Sequence, residues 1–227
     1  MPKLNLELLD AQFCGGLVVS CQPVETGPMD HTDTVVRLAL AALAGGARAV
    51  RIERAARVAA VRAATAAPII GIVKHDLTDS PVRITPFIED IAALAEAGAS
   101  IIAVDATTRA RPVAVIDLLL NIHALGVFAM ADCASLAEIT AAHGLGFDIV
   151  GTTLSGYTGG TVPSEPDYAL LAQAAKLAPR VMAEGRFNTP LQVSNAIASG
   201  AWAVTVGTAI TRTEVVTAWF SRALTKD

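Results

Sequence analysis

The fold is decided by strands of one kind, of which the clearest is IIGIVKHD, residues 69–76. Its apolar residues surround a single glycine without any polar alternation, which is the pattern of a strand covered on both faces of a sheet. Lys74 then stands where such a strand should end. An ammonium group at that place is costly to desolvate unless it has a partner or a chemical task.

Seven other short apolar runs follow the same plan, and each leads through polar residues into an alanine-rich segment of helical period. In chain order the eight runs are Gly16–Cys21, Ala49–Glu53, Ile69–Lys74, Ile101–Ala106, Gly126–Asp132, Asp148–Thr153, Arg180–Gly185 and Ala203–Thr208. Strand and helix alternating eight times predict a parallel sheet, whose closed form is the (β/α)8 TIM barrel of the α/β class. An open doubly wound sheet stays possible, because periodicity does not reveal closure.

Composition indicates one domain with a small partner. The chain has 227 residues, of which 53% are apolar and 17% charged, and its formal net charge is −4. We predict a single barrel domain over residues 1–227, with a short helix over Leu4–Phe13 closing the barrel floor. The scattered charges offer no basic face for nucleic acid, and no apolar run is long enough to span a membrane.

Cysteine usage and the first residues predict a cytoplasmic protein. Cys14, Cys21 and Cys133 form neither an even disulfide framework nor a metal-binding spacing. Glu7 and Asp10 interrupt the apolar run that a signal peptide would need. The four histidines are scattered, so no metal site is predicted.

Every predicted strand carries a polar group to its carboxyl end, and in a barrel these ends meet at one mouth. A single aspartate in such a place is more often a turn former or a helix cap. Together, carboxylates, a guanidinium, an ammonium and an amide are costly to bury without a charged ligand that organises them. The mouth is therefore predicted to be a binding site. Its polar groups include Ser20, Gln22, Arg51, Glu53, Lys74, Asp105, Asp132, Thr152, Thr153, Glu184 and Thr208.

Lys74 is the candidate for a group that transfers protons. It is the only lysine in a predicted strand, in a chain that otherwise prefers arginine. A partly desolvated ammonium can lose its proton near neutral pH, whereas a guanidinium cannot. The structural alternative is a Lys74 that only pairs with Asp76.

Two glycine turns follow the seventh and eighth strands: GRFNTP, residues 185–190, and GTAITR, residues 207–212. Each leads into a helix and exposes backbone N–H groups, and this pair of loops is where such barrels commonly hold phosphate. Arg186 and Arg212 stand beside them. The sequence thus predicts a phosphorylated small-molecule substrate.

Two features near the mouth stay open. The irregular stretch Leu154–Pro166 is either a mobile lid or an ordered surface loop. His75 either contacts a substrate or points away, since a residue at a strand end has both options.

From about Gly15 to its last helix, the chain resembles the N-acetylmannosamine-6-phosphate 2-epimerase family of sialic acid degradation. The resemblance is carried by GGLVVSCQ, IIGIVKHD, IIAVDATTRARP, DIVGTTLSGYT, VMAEGRFNTP and AVTVGTAITR. It implies an isomerase that converts N-acetyl-D-mannosamine 6-phosphate to N-acetyl-D-glucosamine 6-phosphate on a TIM barrel. It also implies a homodimer, and no metal or organic cofactor is signalled.

Roles follow from the resemblance position by position. Lys74 would be the base at the sugar C2 and Glu184 a second acid/base group. The residues that would orient the sugar and its acetamido group are Gln22, Arg51, Asp132 and Arg212. Those that would cradle the phosphate are Gly185, Arg186, Gly207 and Thr208. His75 stands where the family usually has arginine, and Thr208 replaces serine but keeps the hydroxyl.

The implied chemistry needs two groups. A C2 proton is acidic enough to remove only beside an open-chain C1 carbonyl, so a base near C2 and an acid/base group near C1 or the ring oxygen are both required. Two other readings stay open. Lys74 could form a Schiff base in a phosphosugar aldolase or lyase, or the barrel could bind a phosphosugar without catalysis.

Overall fold

The structure, a computed structural model that describes residues 5–224, contains a closed barrel of parallel strands. Each strand pairs with its neighbours in the chain, and the last pairs with the first, so that Val18 lies opposite Thr205. The TIM barrel prediction is confirmed, and the open sheet is ruled out. The strands are β1 Gly16–Ser20, β2 Ala49–Glu53, β3 Ile69–Ile72, β4 Ile101–Asp105, β5 Phe128–Asp132, β6 Ile149–Gly151, β7 Val181–Glu184 and β8 Ala203–Val206.

One helix precedes the first strand, and the others follow the strands on the outside of the barrel. They are α1 Leu6–Phe13, α2 Thr32–Ala44, α3 Ala55–Ala64, α4 Ile88–Glu96, α5 Val115–Ala124, α6 Leu136–Leu145, α7 Tyr168–Ala174, α8 Pro190–Ala198, α9 Thr208–Thr211 and α10 Thr213–Leu224. Thr189 and Gln192 form a reciprocal capping box at the start of α8, with Pro190 as the first helical residue. None of the helices within residues 5–224 combines the length and apolar character that crossing a bilayer requires.

Two apolar layers fill the molecule, one inside the barrel and one between the strands and the helices. On β3, Ile70 and Ile72 point inward, whereas Ile69 belongs to the outer layer. Gly71 also faces outward, and a Cβ there would lie 3.0 Å from the side chains of Leu94 and Ala99. The glycine in this strand therefore lets α4 pack directly on the sheet.

The third strand is shorter than predicted, because the chain leaves the sheet after Ile72. Val73 N–H donates to the Thr85 hydroxyl (3.2 Å), and Thr85 N–H donates to the Val73 carbonyl (2.7 Å). Lys74 then forms an isolated antiparallel bridge with Ile84. A returning segment of the β3–α4 loop thus fixes the backbone of Lys74 at the mouth.

The helix α1 closes the barrel floor, as predicted, over Leu6–Phe13; the predicted start at Leu4 lies outside the described residues. The Phe13 and Trp202 rings stack with centroids 5.3 Å apart. Asp10 accepts two hydrogen bonds from the Arg180 guanidinium (2.6 and 2.7 Å) and one from the Trp202 indole (2.9 Å). These contacts tie the floor helix to the seventh and eighth strands.

Replacing Asp10 by alanine should therefore weaken the barrel. The change removes a bidentate ion pair and leaves the Trp202 N–H without its acceptor, which should lower the free energy of unfolding by about 1–2 kcal/mol. Urea denaturation followed by circular dichroism measures this loss. Glu7→Ala, on the exposed side of the same helix, is the matched control. Equal stability of the two variants would contradict a structural role for the Asp10 contacts.

Candidate active site

A cavity of about 440 Å³ opens at the carboxyl ends of the strands. Of the ten residues singled out from the sequence for catalysis, sugar binding and phosphate binding, eight line it. The other two, Arg51 and Asp132, are buried to 1% and 0% exposure and contact Glu184 or its partners. The structure therefore brings the predicted residues together around one space.

A three-residue charge cluster lies at the base of the cavity. Arg51 donates to both oxygens of Asp132 (3.1 and 2.5 Å) and, through Nη1, to Glu184 Oε2 (3.0 Å). The Thr153 hydroxyl donates to Asp132 Oδ1 (2.6 Å). Burying these charges is tolerable only because each is paired and hydrogen-bonded. The cluster fixes the carboxyl groups of β5 and β7 relative to each other.

Glu184 is held in a protonatable state. Burial is the main cause that raises its pKa to about 7; the charge of Arg51 opposes the rise, the negative charge of Asp132 adds to it, and Lys74 also opposes it. Its backbone is fixed by Thr152, whose hydroxyl donates to the Glu184 carbonyl (2.9 Å) and accepts from its N–H (3.1 Å). A carboxyl group with such a pKa can give or take a proton near neutral pH.

Lys74 lies across the same cavity in a partly buried position. Burial lowers its pKa; the charge of Glu53 opposes this effect, while Arg51, Arg212 and Arg83 reinforce it. The sequence left open that Lys74 only forms an ion pair with Asp76. In the structure Asp76 pairs instead with Arg83, at 2.6 Å. Lys74 is therefore available to the cavity, and its environment favours the neutral amine more than water does.

Two further polar groups point into the cavity from neighbouring elements. The Gln22 amide donates to the Ser20 hydroxyl (2.7 Å), and its buried Oε1 has no partner within residues 5–224. Arg212 donates through Nε to the Gln22 carbonyl (3.1 Å), which orients the guanidinium at the cavity wall. A buried acceptor without a donor calls for a ligand that carries an N–H or O–H group.

The two glycine turns also line the cavity. Gly185 has φ of +111°, a conformation that side chains rarely adopt, and Gly207 precedes the single-turn helix α9. The Arg186 side chain, predicted beside the phosphate, donates to the carbonyls of Glu165 (2.7 Å) and Ser155 and lies over the Tyr157 ring. The guanidinium thus binds the β6–α7 loop, while the turn itself borders the cavity.

His75 points away from the cavity. Its Nε2 lies 3.0 Å from both carboxylate oxygens of Asp90, and its ring packs edge-on against Phe87. Of the two options that the sequence left open for this residue, the structure shows the outward one.

Some cavity residues were not found by reasoning from the sequence. Arg83, Arg109, Tyr157 and Thr205 all line the cavity. Three of them lie in loops without periodic signal, and Arg109 is placed by an ion pair with Asp105 (2.5 Å). Thr205 could have been found from the pattern AVTV, because a lone hydroxyl in a buried strand needs a polar neighbour, and it pairs in register with Glu184.

No group of three or more histidine, cysteine, aspartate or glutamate side chains within residues 5–224 is arranged to hold a metal ion. The polar groups at the mouth instead include one amine, one protonatable carboxyl group, four arginines and two glycine turns. This set suits an anionic, hydrogen-bonding small molecule whose carbon centre exchanges protons.

Comparison with known proteins places these features in a family. The family described as "Putative N-acetylmannosamine-6-phosphate epimerase" matches residues 35–226. The chain belongs to this family. A protein of Proteus mirabilis called "Putative N-acetylmannosamine-6-phosphate 2-epimerase" is 54% identical over 95% of this chain and 93% of its own length. A Haemophilus influenzae protein of the same description is 51% identical over 99% and 98%.

Solved structures agree with this membership. The N-acetylmannosamine-6-phosphate 2-epimerase from Clostridium perfringens is 39% identical and superposes with a TM-score of 0.92 over 95% of this chain and 96% of that one. The family resemblance drawn from the sequence is therefore confirmed. A thiamine phosphate pyrophosphorylase from Pyrococcus furiosus, 16% identical with a TM-score of 0.63 over 89% of each chain, shares the fold alone.

The charge cluster predicts a direction for the titration of Glu184. In an Asp132→Asn variant one negative neighbour is lost and Arg51 keeps Glu184 as its charged partner, so the pKa of Glu184 should fall from about 7. Carbon-13 NMR of labelled glutamate carboxyl groups, with Glu184→Gln to identify the resonance, measures it. Asp167→Asn, beyond the cavity on the β6–α7 side, is the control. An unchanged or higher Glu184 pKa in Asp132→Asn would refute the proposed coupling.

Proposed function

We propose that this protein is an isomerase that interconverts N-acetyl-D-mannosamine 6-phosphate and N-acetyl-D-glucosamine 6-phosphate in sialic acid degradation. The observation that carries the proposal is the placement of Lys74 and Glu184 on one cavity that also contains both glycine turns. Membership of the epimerase family supports the same reaction.

In this reaction the phosphate anchors one end of the open-chain sugar. The backbone of Gly185, Arg186, Gly207 and Thr208, together with the Thr208 hydroxyl, would hold it. Two residues of the cavity wall, Gln22 and Arg212, would orient the sugar and its acetamido group directly. The buried residues Arg51 and Asp132 would do so through Glu184. The unpartnered Gln22 Oε1 suits the N–H of such a group.

Proton transfer would then use the two titratable groups. Neutral Lys74 removes the proton from C2 while protonated Glu184 donates to the C1 oxygen, which gives a neutral enediol. The Lys74 ammonium then returns a proton to the other face of C2 once the enediol has turned over, which inverts that carbon and restores the neutral amine, and the Glu184 carboxylate takes its proton back from the C1 hydroxyl as the carbonyl re-forms. The lowered pKa of Lys74 and the raised pKa of Glu184 favour the required starting forms.

Incubation of N-acetylmannosamine 6-phosphate with the protein in heavy water should yield the 2-epimer with deuterium at C2, as read by proton NMR. Lys74→Ala should lower the rate by about 10²–10⁴-fold, because the base is lost, and Glu184→Gln should also lose most activity. Lys176→Ala, a change at an exposed lysine outside the cavity, is the control. Full activity of Lys74→Ala would refute its assignment.

The same preparation separates the alternatives. Borohydride trapping of substrate on Lys74 would favour a Schiff-base aldolase or lyase, and binding without product or exchange would favour a non-catalytic barrel. The epimerase proposal requires exchange at C2 without a trapped adduct. If no exchange of the C2 hydrogen is seen under conditions in which a control enzyme is active, the proposal is overturned.

We also propose that the protein is a homodimer that pairs through α10. No residue of this helix is buried, and Phe220 and Leu224 are 73% and 85% exposed. Large apolar side chains exposed together on one helix are typical of an interface. A second copy of the chain is the proposed partner of this helix face, because the resemblance to the epimerase family implies a dimer.

Phe220→Glu should therefore shift the protein from dimer to monomer, because the charge would have to be desolvated at the interface. Sedimentation velocity at micromolar concentration measures the change. Leu120→Glu, at a 58% exposed position on α5, should leave the oligomer intact. A monomeric wild type, or a dimer that survives Phe220→Glu, would contradict the α10 interface.

A single barrel domain and a cytoplasmic location complete the proposal. The elements from Leu6 to Leu224 belong to one barrel and its covering helices. Cys14, Cys21 and Cys133 are unpaired, as expected in a reducing compartment.

A further inference from the structure

The lysine at the mouth is held by a short part of the β3–α4 loop. This part, residues 80–85, is called the return segment because it runs back beside the chain that leaves β3. Lys74 forms its antiparallel bridge with Ile84 in this segment, and the His75 N–H donates to the Arg83 carbonyl (3.0 Å). The position of Lys74 therefore depends on the contacts that hold the return segment.

The last residue of the return segment has an unusual backbone conformation. Thr85 is fully buried and has φ of +46°, in the left-handed region that β-branched residues rarely adopt. Such a conformation persists only where the surrounding contacts over-determine it. On the side of β3 these contacts are the two hydrogen bonds between Thr85 and Val73.

The return segment is also tied to β4 and to the loop that follows this strand. Asp105, the last residue of β4, donates its N–H to the Ile84 carbonyl (3.0 Å). The Ser80 hydroxyl donates to the Ala110 carbonyl (2.6 Å) and accepts from the Val82 N–H (3.2 Å). Both ends of the segment are thus attached to the neighbouring strand and its loop.

Arg109 adds a charged link between the return segment and the barrel. Its Nη1 donates to the Pro81 carbonyl (3.1 Å), its Nη2 forms an ion pair with Asp105 Oδ2 (2.5 Å), and its Nε donates to the Thr107 hydroxyl (3.0 Å). Asp105 is 1% exposed, so its carboxylate is a fixed point at the end of β4. Because a guanidinium presents its donors in a rigid planar fork, the bonds to Asp105 and Thr107 also fix the place of Nη1.

Arg111 shares the same carboxylate without reaching the return segment. It pairs with Asp105 Oδ1 (3.0 Å) and donates to the carbonyls of Asp105 and Thr107 (2.7 Å each). Within residues 5–224 these hydrogen bonds stay on β4 and the loop that follows it. The two arginines therefore separate support of Asp105 from support of the return segment.

We propose that Arg109 is a positioning residue for Lys74, which it keeps in place at the cavity by fixing the return segment to Asp105. The inference rests on the proposed epimerase function, in which Lys74 is the base at C2. Arg109 acts through the backbone of residues 80–85 and needs no contact with the substrate. A displacement of about 1 Å at a reacting group can lower a rate by about 10²-fold, so a small shift of the segment is enough.

The pKa of Lys74 reports this positioning. Burial lowers it, and the positive charge of Arg83, which belongs to the return segment, lowers it as well. A loosened segment would admit water to the ammonium and carry Arg83 away, and both changes raise the pKa. The other charges that face Lys74 belong to different elements of the barrel: Glu53, Glu184, Arg51 and Arg212.

The experiment compares Arg109→Lys with its matched control, Arg111→Lys. Each variant keeps a positive charge beside Asp105, but a single ammonium does not reproduce the fork that joins Asp105 to Pro81. Arg109→Lys should lower kcat for N-acetylmannosamine 6-phosphate about tenfold or more with little change in KM, whereas Arg111→Lys should stay near the wild-type kcat. The pKa of Lys74 should rise in Arg109→Lys alone. It is measured from the pH dependence of Lys74 acetylation by acetic anhydride, read by peptide mass spectrometry.

Ser80→Ala tests the return segment independently and takes the place of Arg109→Lys if circular dichroism shows that the latter does not fold. The change removes the hydrogen bond to Ala110 and leaves every charge in place. A smaller fall in kcat and a smaller rise in the pKa of Lys74 are expected, because the other links of the segment remain.

The inference is overturned if a folded Arg109→Lys, or Ser80→Ala in its place, keeps the wild-type kcat and Lys74 pKa. It is equally overturned if Arg111→Lys shows the same losses, or if Arg109→Lys raises KM without lowering kcat, since Arg109 would then bind the substrate instead. If the wild type does not exchange the C2 hydrogen, the proposed function fails, while the pKa of Lys74 still shows whether Arg109 positions the amine.

Discussion

The buried guanidinium of Arg51 is the constraint on which the site depends. It is 1% exposed, and its charge is compensated by Asp132 and Glu184, which lie 81 and 133 residues further along the chain. Removing either carboxylate would leave part of a positive charge buried without a partner, which is far more costly than losing a surface pair. The cluster therefore requires β2, β5 and β7 to end at the same level, and a closed barrel is the arrangement in which they do.

This cluster also decides what the neighbouring groups can do. Asp132 is fully occupied by Arg51 and Thr153, whereas Glu184 receives one bond from Arg51 and keeps one side toward the cavity. Asp76 forms an ion pair with Arg83. The acids near the mouth thus pair mainly with arginines, so that burial outweighs the attraction of Glu53 and the pKa of Lys74 falls. Sequence alone leaves the sign of that shift open, since burial and neighbouring charges act in opposite directions.

The fold and the residues at strand ends could be predicted because both follow from local pattern. Apolar runs such as residues 69–73 indicate strands, and parallel strands place their last residues at one edge. What could not be predicted depends on contacts between distant segments. The direction of Arg186 is set by carbonyls of Ser155 and Glu165, and the place of Lys74 by its bridge to Ile84. His75 turns away because Asp90 on α4 lies within hydrogen-bond distance, which no spacing in the sequence reveals.

The opposite pKa shifts of Lys74 and Glu184 have a common cause, since burial disfavours the ammonium and the carboxylate alike. The site can therefore begin the proposed reaction with a neutral amine and a neutral acid. When Lys74 takes the C2 proton and Glu184 gives one to the C1 oxygen, a cation and an anion arise together beside a neutral enediol. The total charge of the cavity stays constant throughout, so the Arg51 cluster and the phosphate anchor need not rearrange. Low reorganisation of this kind is what a preorganised site contributes to catalysis.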